Sequence, residues 1–175
     1  MTFGELYDQH FDFVWRSLRR LGVPPADLPD VAQEVFLVVH RRLPHFEARS
    51  KVTTWLFSIC LHAARDRRRR AHVRREVPDA TFLEELADRG ADASSLLERR
   101  HDLELFEAAL MTMDLDQRAV FTLFELEGVR GPEVAEALEI PLATAYSRLR
   151  LAREAFRRAV VRSVNQSRVH FGRVP

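Results

Sequence analysis

Thr144, Ser147, Arg148, Arg150 and Arg153 crowd into ten residues near the C-terminal end of the chain. Short hydroxyl side chains and guanidinium groups at this spacing can hydrogen-bond base edges and neutralise phosphates. A second concentration of charge, RDRRRRAHVRR at 65–75, can release counterions from a polyanion. Phe46, Thr53, Thr54, Trp55 and Phe57 precede it, so single-stranded nucleic acid is a suitable ligand: rings stack bases while arginines track the backbone. Both stretches also admit a plainer reading, as solvated surface or as a cationic helix end favoured by the dipole. Catalysis has no comparable footing. The seven histidines show no metal-ligand spacing, and there is no glycine-rich phosphate loop or nucleophile motif. Cys60 is the one cysteine, which excludes an internal disulfide and a multi-cysteine zinc site.

The C-terminal group needs a scaffold that turns sharply. Gly131-Pro132 suits a helix entry, because Pro fixes φ and its missing amide hydrogen would be unpaired there anyway. Val134, Ala135 and Leu138 give a short helix one apolar face, and the chain turns at Glu139-Ile140-Pro141. In the next helix Ala145, Leu149, Ala152 and Phe156 recur at spacings of four, three and four, forming a stripe that can be buried. Ala143, Thr144, Ser147, Arg148, Arg150, Leu151 and Glu154 occupy the other side. This is a helix-turn-helix pattern, whose second helix offers its start to a major groove.

Three helices are expected upstream. The first runs from Phe3 to Leu21, with Phe3, Tyr7, Phe11, Val14, Leu18 and Leu21 on one face, and Gly22 with Pro24-Pro25 ends it. Asp27 is a suitable N-cap for the second, which turns Val31, Val35, Val38, Val39 and Leu43 toward a core. Asp30, Gln33, Glu34 and Leu37 lie on another side, open to solvent or to a partner. Pro44 breaks that helix, 44–53 read as a loop, and a third helix spans Thr53 to Arg75 with Trp55, Leu56, Ile59 and Ala63 as its stripe. Residues 77–97, with a Pro, a Gly, a Ser pair and several acids, read as a linker. A new helical block starts near Leu97 and carries Leu103, Phe106, Ala109 and Leu110. Asp114 is placed to cap a helix bearing Ala119, Val120, Leu123 and Phe124 that closes at Gly128. The tail after Ser163 is polar and expected to fray.

Composition agrees with an all-α chain of two small helical domains joined by a linker. Residues are 46% hydrophobic and 30% charged, and six glycines with few β-branched runs argue against a large sheet. No apolar run is long enough to span a membrane and MTFGELYDQH is not a signal-peptide start, so no membrane insertion and a cytoplasmic location are expected. The net charge of +1 hides a strong segregation: +5 over 1–76, −4 over 77–103, −7 over 104–141 and +7 over 142–175. Two basic segments separated by acidic ones suggest two places for a polyanion to dock.

In this order the pieces resemble the extracytoplasmic-function (ECF) sigma factors of bacterial RNA polymerase, and the resemblance covers nearly the whole chain. DLPDVAQEVFLVVHRRLPHF followed by TTWLFSICLHAARDRRRR is similar to the family's polymerase-binding and promoter-melting helices. LDQRAVFTLFELEGV followed by EVAEALEIPLATAYSRLRLAR is similar to the domain that binds the upstream promoter element. The resemblance implies a domain 2-like unit over 1–76, a linker over 77–97, a domain 4-like unit over 98–164 and a tail over 165–175. It implies a sigma factor, not an enzyme, with no cofactor, that recognises the upstream element as duplex and the downstream element as melted strand. Its partners would be core polymerase, through the β′ clamp helices and the β flap, promoter DNA and an anti-sigma factor.

Residue by residue, Asp30, Gln33, Glu34 and Phe36 would dock on the clamp helices, though Phe36 also suits a core. The loop from Glu47 to Thr53 with the start of the third helix would receive an unstacked base, giving Thr53, Thr54, Trp55, His62, Arg67 and Arg68 to the downstream element. Thr144, Ser147 and Arg148 would face the upstream duplex, with Arg150 and Arg153 on phosphates. Leu61 and His62 stand where Arg and Asn are common in the family; Glu139 and Ala143 replace frequent glycines, which alters the expected turn; Tyr146 and Leu151 replace Lys and Arg. A helix-turn-helix regulator that does not engage polymerase is the alternative reading, but it has no use for the DVAQEVF surface.

Overall fold

The computed structural model describes residues 1–47, 50–74 and 93–171, and all regular structure among them is helical. Positions 48–49 of the expected loop, Arg75 and Glu76, most of the expected linker (77–92) and the last four residues of the tail lie outside the described residues. Helix α1 spans Phe3–Arg20, and Thr2 starts it with a reciprocal cap. The Glu5 amide donates to Thr2 Oγ1 at 3.3 Å while the Thr2 amide donates to Glu5 Oε2 at 2.7 Å. These bonds hold the Glu5 carboxyl below its ordinary range, the backbone bond contributing most. At the other end Gly22, at φ 84°, lets the Gly22 and Val23 amides reach back to the carbonyls of Arg19 and Leu18. That is a Schellman stop, and it needs a residue that tolerates positive φ.

Helix α2, Leu28–Arg42, follows a single 3₁₀ turn at Pro25–Asp27. Asp27 does occupy the N-cap position, but its side chain makes no capping bond; it ion-pairs instead with Arg67. Helix α3, Val52–Arg74, touches α1, α2 and the first helix of the C-terminal turn. Being enclosed from several sides, α3 buries Leu56, Phe57, Ile59, Cys60, Leu61 and Ala64, a wider set than the single stripe expected. Burial pushes the Cys60 thiol well up, which keeps it neutral and unreactive.

Helix α4, Ala93–Met111, begins four residues ahead of the expected Leu97. Asp114 caps α5, Leu115–Phe121, accepting the Gln117 amide at 2.8 Å, and a π-helical turn at Thr122–Leu126 carries the chain to Gly128 at φ 61°. Helix α6 is Gly131–Ala137 and α7 runs from Leu142 to Phe171, well past Ser163, where fraying was expected. Leu110, Met113, Phe121, Ala152 and Ala155 form a small apolar cluster shared by α4, α5 and α7. The main cluster is larger and continuous. It joins Leu6, Val14, Leu18, Val35 and Phe57 of the first three helices to Leu115, Val120, Leu123, Val134 and Leu149 of the last three. The halves therefore pack on each other.

Candidate nucleic-acid interface

The turn between α6 and α7 keeps its geometry without a glycine. Glu139 takes φ 55°, its amide donates to the Glu136 carbonyl, and the Ile140 amide donates to the Ala135 carbonyl. This is again a Schellman stop, now with a carboxylate side chain at the left-handed position, and Pro141 then forbids continuation. The turn falls at Glu139-Ile140-Pro141, where the sequence placed it, with Glu139 itself in the left-handed conformation. Val134, Ala135, Leu138, Ala145, Leu149 and Ala152 are buried, as the helix-turn-helix pattern requires, and Phe156 is partly buried.

The start of α7 presents Thr144, Ser147, Arg148 and Leu151 along one face, three and four residues apart. Ser147 is exposed and its hydroxyl donates to the Thr144 carbonyl at 3.0 Å, leaving lone pairs free to accept. Arg148 is half-buried and pairs with Asp116 at 2.9 Å. Arg150 is exposed and pairs with Glu154 at 2.8 Å. Arg153 lies away from the buried stripe, and two of its N–H groups converge on Glu125 Oε1 at 2.8 and 2.6 Å. Each of the three arginines thus already holds a carboxylate.

Tyr146 and Leu151 stand where cations were expected and are both exposed. Tyr146 has a structural use that the sequence did not suggest. Its ring lies 5.7 Å from that of Phe124, and its hydroxyl sits so close to Gly131 that a Cβ there would be 2.5 Å away. Gly131 is therefore set by close approach as well as by helix entry, and Tyr146 braces the two arms of the motif.

On α3 the downstream candidates separate. Thr53 is half-buried and His62 exposed, whereas Thr54 is fully buried with an unpartnered Oγ1, so in this conformation Thr54 cannot reach a DNA strand. Trp55 is partly buried, and its ring lies 4.7 Å from that of Phe46, tilted at 33° to it. Arg67 is bound to Asp27, Arg69 to Asp66, and Arg70 forks onto both oxygens of Glu34 at 3.0 and 2.8 Å. That fork holds the Glu34 carboxyl below its ordinary range. Arg68 is exposed on the wall of a cleft of about 920 Å³, lined also by Arg65, Arg69, His72, Asp116 and Arg148.

On α2, Asp30 and Gln33 are exposed and Glu34 is half-exposed. Phe36 is buried, packed on the rings of Phe3, Tyr7 and Phe11. Its place is the floor of a groove of about 620 Å³ whose rim carries Tyr7, Gln33, Leu37 and His40. The acidic face and the basic run are thereby stapled to each other by Glu34–Arg70 and Asp27–Arg67. Sequence reasoning gave Arg65 no role apart from its run and passed over Asp116 and Arg118. The Arg118 guanidinium reaches the Leu21 carbonyl at 3.1 Å, and burial, with Arg68 nearby, lowers its pKa. The only sign of them in the sequence is the opposition of a basic first block and an acidic third.

Residues 6–74 match the Sigma-70 region 2 family and residues 103–156 match Sigma-70, region 4. The RNA polymerase sigma factor NccH of Alcaligenes xylosoxydans xylosoxydans is 29% identical over 158 residues, covering 87% of this chain and 83% of that one. The ECF RNA polymerase sigma-E factor of Escherichia coli (strain K12) is 30% identical over 146 residues, covering 79% and 76%. Among solved structures the fold is similar to CnrH in complex with the cytosolic domain of CnrY (24% identity, TM-score 0.61, 90% of this chain and 86% of that one). It is also similar to RpoE in complex with the anti-sigma factor NepR from Bartonella quintana (24% identity, TM-score 0.64, 88% and 96%). Two sigma-factor regions in order on one chain, with such a relative at 30% identity, mean that the chain belongs to the ECF sigma factors, the non-enzymatic subunits through which RNA polymerase recognises promoters.

Proposed function

We propose that this sigma factor reads the two elements of its promoter in different physical states. The start of α7 recognises the upstream element as duplex: Thr144, Ser147 and Arg148 address base edges, and Arg150 and Arg153 address phosphates. The observation that carries this reading is the helix-turn-helix itself, closed by a Schellman turn with its apolar residues buried and Thr144, Ser147 and Arg148 along one outer face. The downstream element is taken as a melted strand by α3 and the loop before it, with Thr53, Trp55, His62, Arg67 and Arg68 as contacts. Thr54 acts from beneath them by packing. Asp30, Gln33 and Glu34 dock on the β′ clamp helices, with Phe36 shaping the groove beside them, and the C-terminal unit meets the β flap. The working division is a first unit over 1–76, a linker that ends where α4 begins at Ala93, and a second unit from α4 through α7.

An anti-sigma factor is a further partner, supported by the RpoE relative having been solved with one. No described helix is long and apolar enough to cross a membrane, and the site of action is the cytoplasm, where polymerase is. Binding of the full chain to purified core polymerase tests the docking surface. Replacing Asp30 and Gln33 with Lys should weaken binding at least tenfold while the thermal midpoint holds; unchanged affinity would remove α2 from the interface.

A further inference from the structure

The two halves meet along a seam whose charges are complementary. Arg19 pairs with Glu107 at 2.6 Å, Arg20 with Glu127 at 2.9 Å and Arg65 with Asp116 at 2.8 Å, each joining an arginine of the first block to an acid of the third. Arg118 crosses in the other direction, and a Cβ at Gly22 would lie only 2.1 Å from its Nη1. Asp116 is the distinctive member. Its Oδ1 takes Arg65 of α3 and its Oδ2 takes Arg148 of α7, so one carboxylate holds a cation from each DNA-facing helix. Asp116 offers those guanidinium groups two anionic oxygens, the chemistry that a phosphate or the acceptor edge of a guanine would offer. Both side-chain partners stay partly open to the cleft, Arg65 at 36% and Arg148 at 28% exposure, so an incoming anion has a route to them.

We propose that Asp116 is an internal competitor for promoter DNA: it occupies Arg148 and ties α7 to α3, so that duplex binding by the chain on its own is weakened. This rests on Arg148 being a DNA contact, as proposed above. Duplex at the start of α7 must displace Asp116 from Arg148, and polymerase favours binding by holding the halves apart. The competitor need not be strong, because a partly exposed ion pair adds only a modest factor.

The test uses the full chain, free and bound to core polymerase, with a fluorescent duplex carrying the upstream element. Asp116→Ala and the isosteric Asp116→Asn are compared with wild type, and dyes on Gln9→Cys and Val161→Cys report the distance between halves. The expected result is a roughly two- to fivefold gain in duplex affinity for the free chain in both variants, the size of one such pair lost. A longer inter-dye distance should accompany it, with holoenzyme affinity within twofold of wild type. If Asp116→Ala fails to unfold cooperatively, Asp116→Asn supplies the reading. Unchanged free-chain affinity and distance would overturn the competitor role. Arg148→Ala separates the two ideas: if it weakens holoenzyme binding while Asp116 variants change nothing, the DNA contact stands and the competition falls. If it leaves holoenzyme binding unchanged, the contact itself is wrong.

Discussion

Glu139 carries a cost that the chain could shed. At φ 55° an L side chain crowds its own carbonyl, a strain of about 1–2 kcal/mol, and part of that would be returned as backbone entropy on going to glycine. Glu139→Gly should therefore stabilise the fold by about 0.5–1 kcal/mol, read as a higher urea midpoint with an unchanged slope; a lower midpoint would mean that the side chain has a compensating contact. Glu34 makes a second residue-scale prediction. Its carboxyl is held down by the Arg70 fork, so the pair stabilises the fold above the ordinary glutamate value and loses that contribution as the pH falls through the depressed one. The pair is about half exposed, so its worth is below about 1 kcal/mol. Glu34→Gln should be slightly less stable than wild type at about pH 7, and the difference should vanish as the pH falls through the depressed value; a difference that stays constant into acid would contradict the assignment.

At the scale of elements, α3 is where sequence and structure differ most. Its basic end reads as one run of equivalent phosphate contacts, yet Arg67 and Arg70 are fastened to α2 while Arg68 faces the cleft. Arg68→Gln should reduce the salt slope of promoter binding by roughly 0.7–0.9, one phosphate's share. Arg70→Gln should lower stability and leave that slope alone; equal effects would show the run to be a uniform cationic surface. The helix-turn-helix, in contrast, was legible down to single positions. Its period of apolar residues, the Gly-Pro entry and the Pro after the turn are local signals, and local signals decide helix ends. Thr54, given as a contact by the resemblance, is buried, and Phe36 takes the core place that it also suited; burial of a helix on several sides erases the one-face pattern on which such inferences depend. The turn was read at Glu139-Ile140-Pro141 and stands there, although residue preference alone does not single out Glu139 for the left-handed position.

The whole molecule adds what no stretch of sequence holds alone. Segregated charge was visible as alternating blocks, and two docking places for a polyanion were inferred from it. The structure uses much of that charge internally, pairing Arg19, Arg20 and Arg65 with Glu107, Glu127 and Asp116 across the seam. Which arginine meets which acid depends on how the halves pack, and that is fixed by the shared apolar cluster rather than by spacing along the chain. The same arrangement frames the central claim, that one chain reads duplex with α7 and melted strand with α3. Transcription by reconstituted polymerase from a randomised promoter library, with wild type and Arg148→Ala side by side, tests it most directly. Wild type should enrich two separated elements, and Arg148→Ala should relax base preference in the upstream one by about 1–3 kcal/mol while leaving the downstream one intact. Enrichment of a single element, or identical preferences from both proteins, would contradict it.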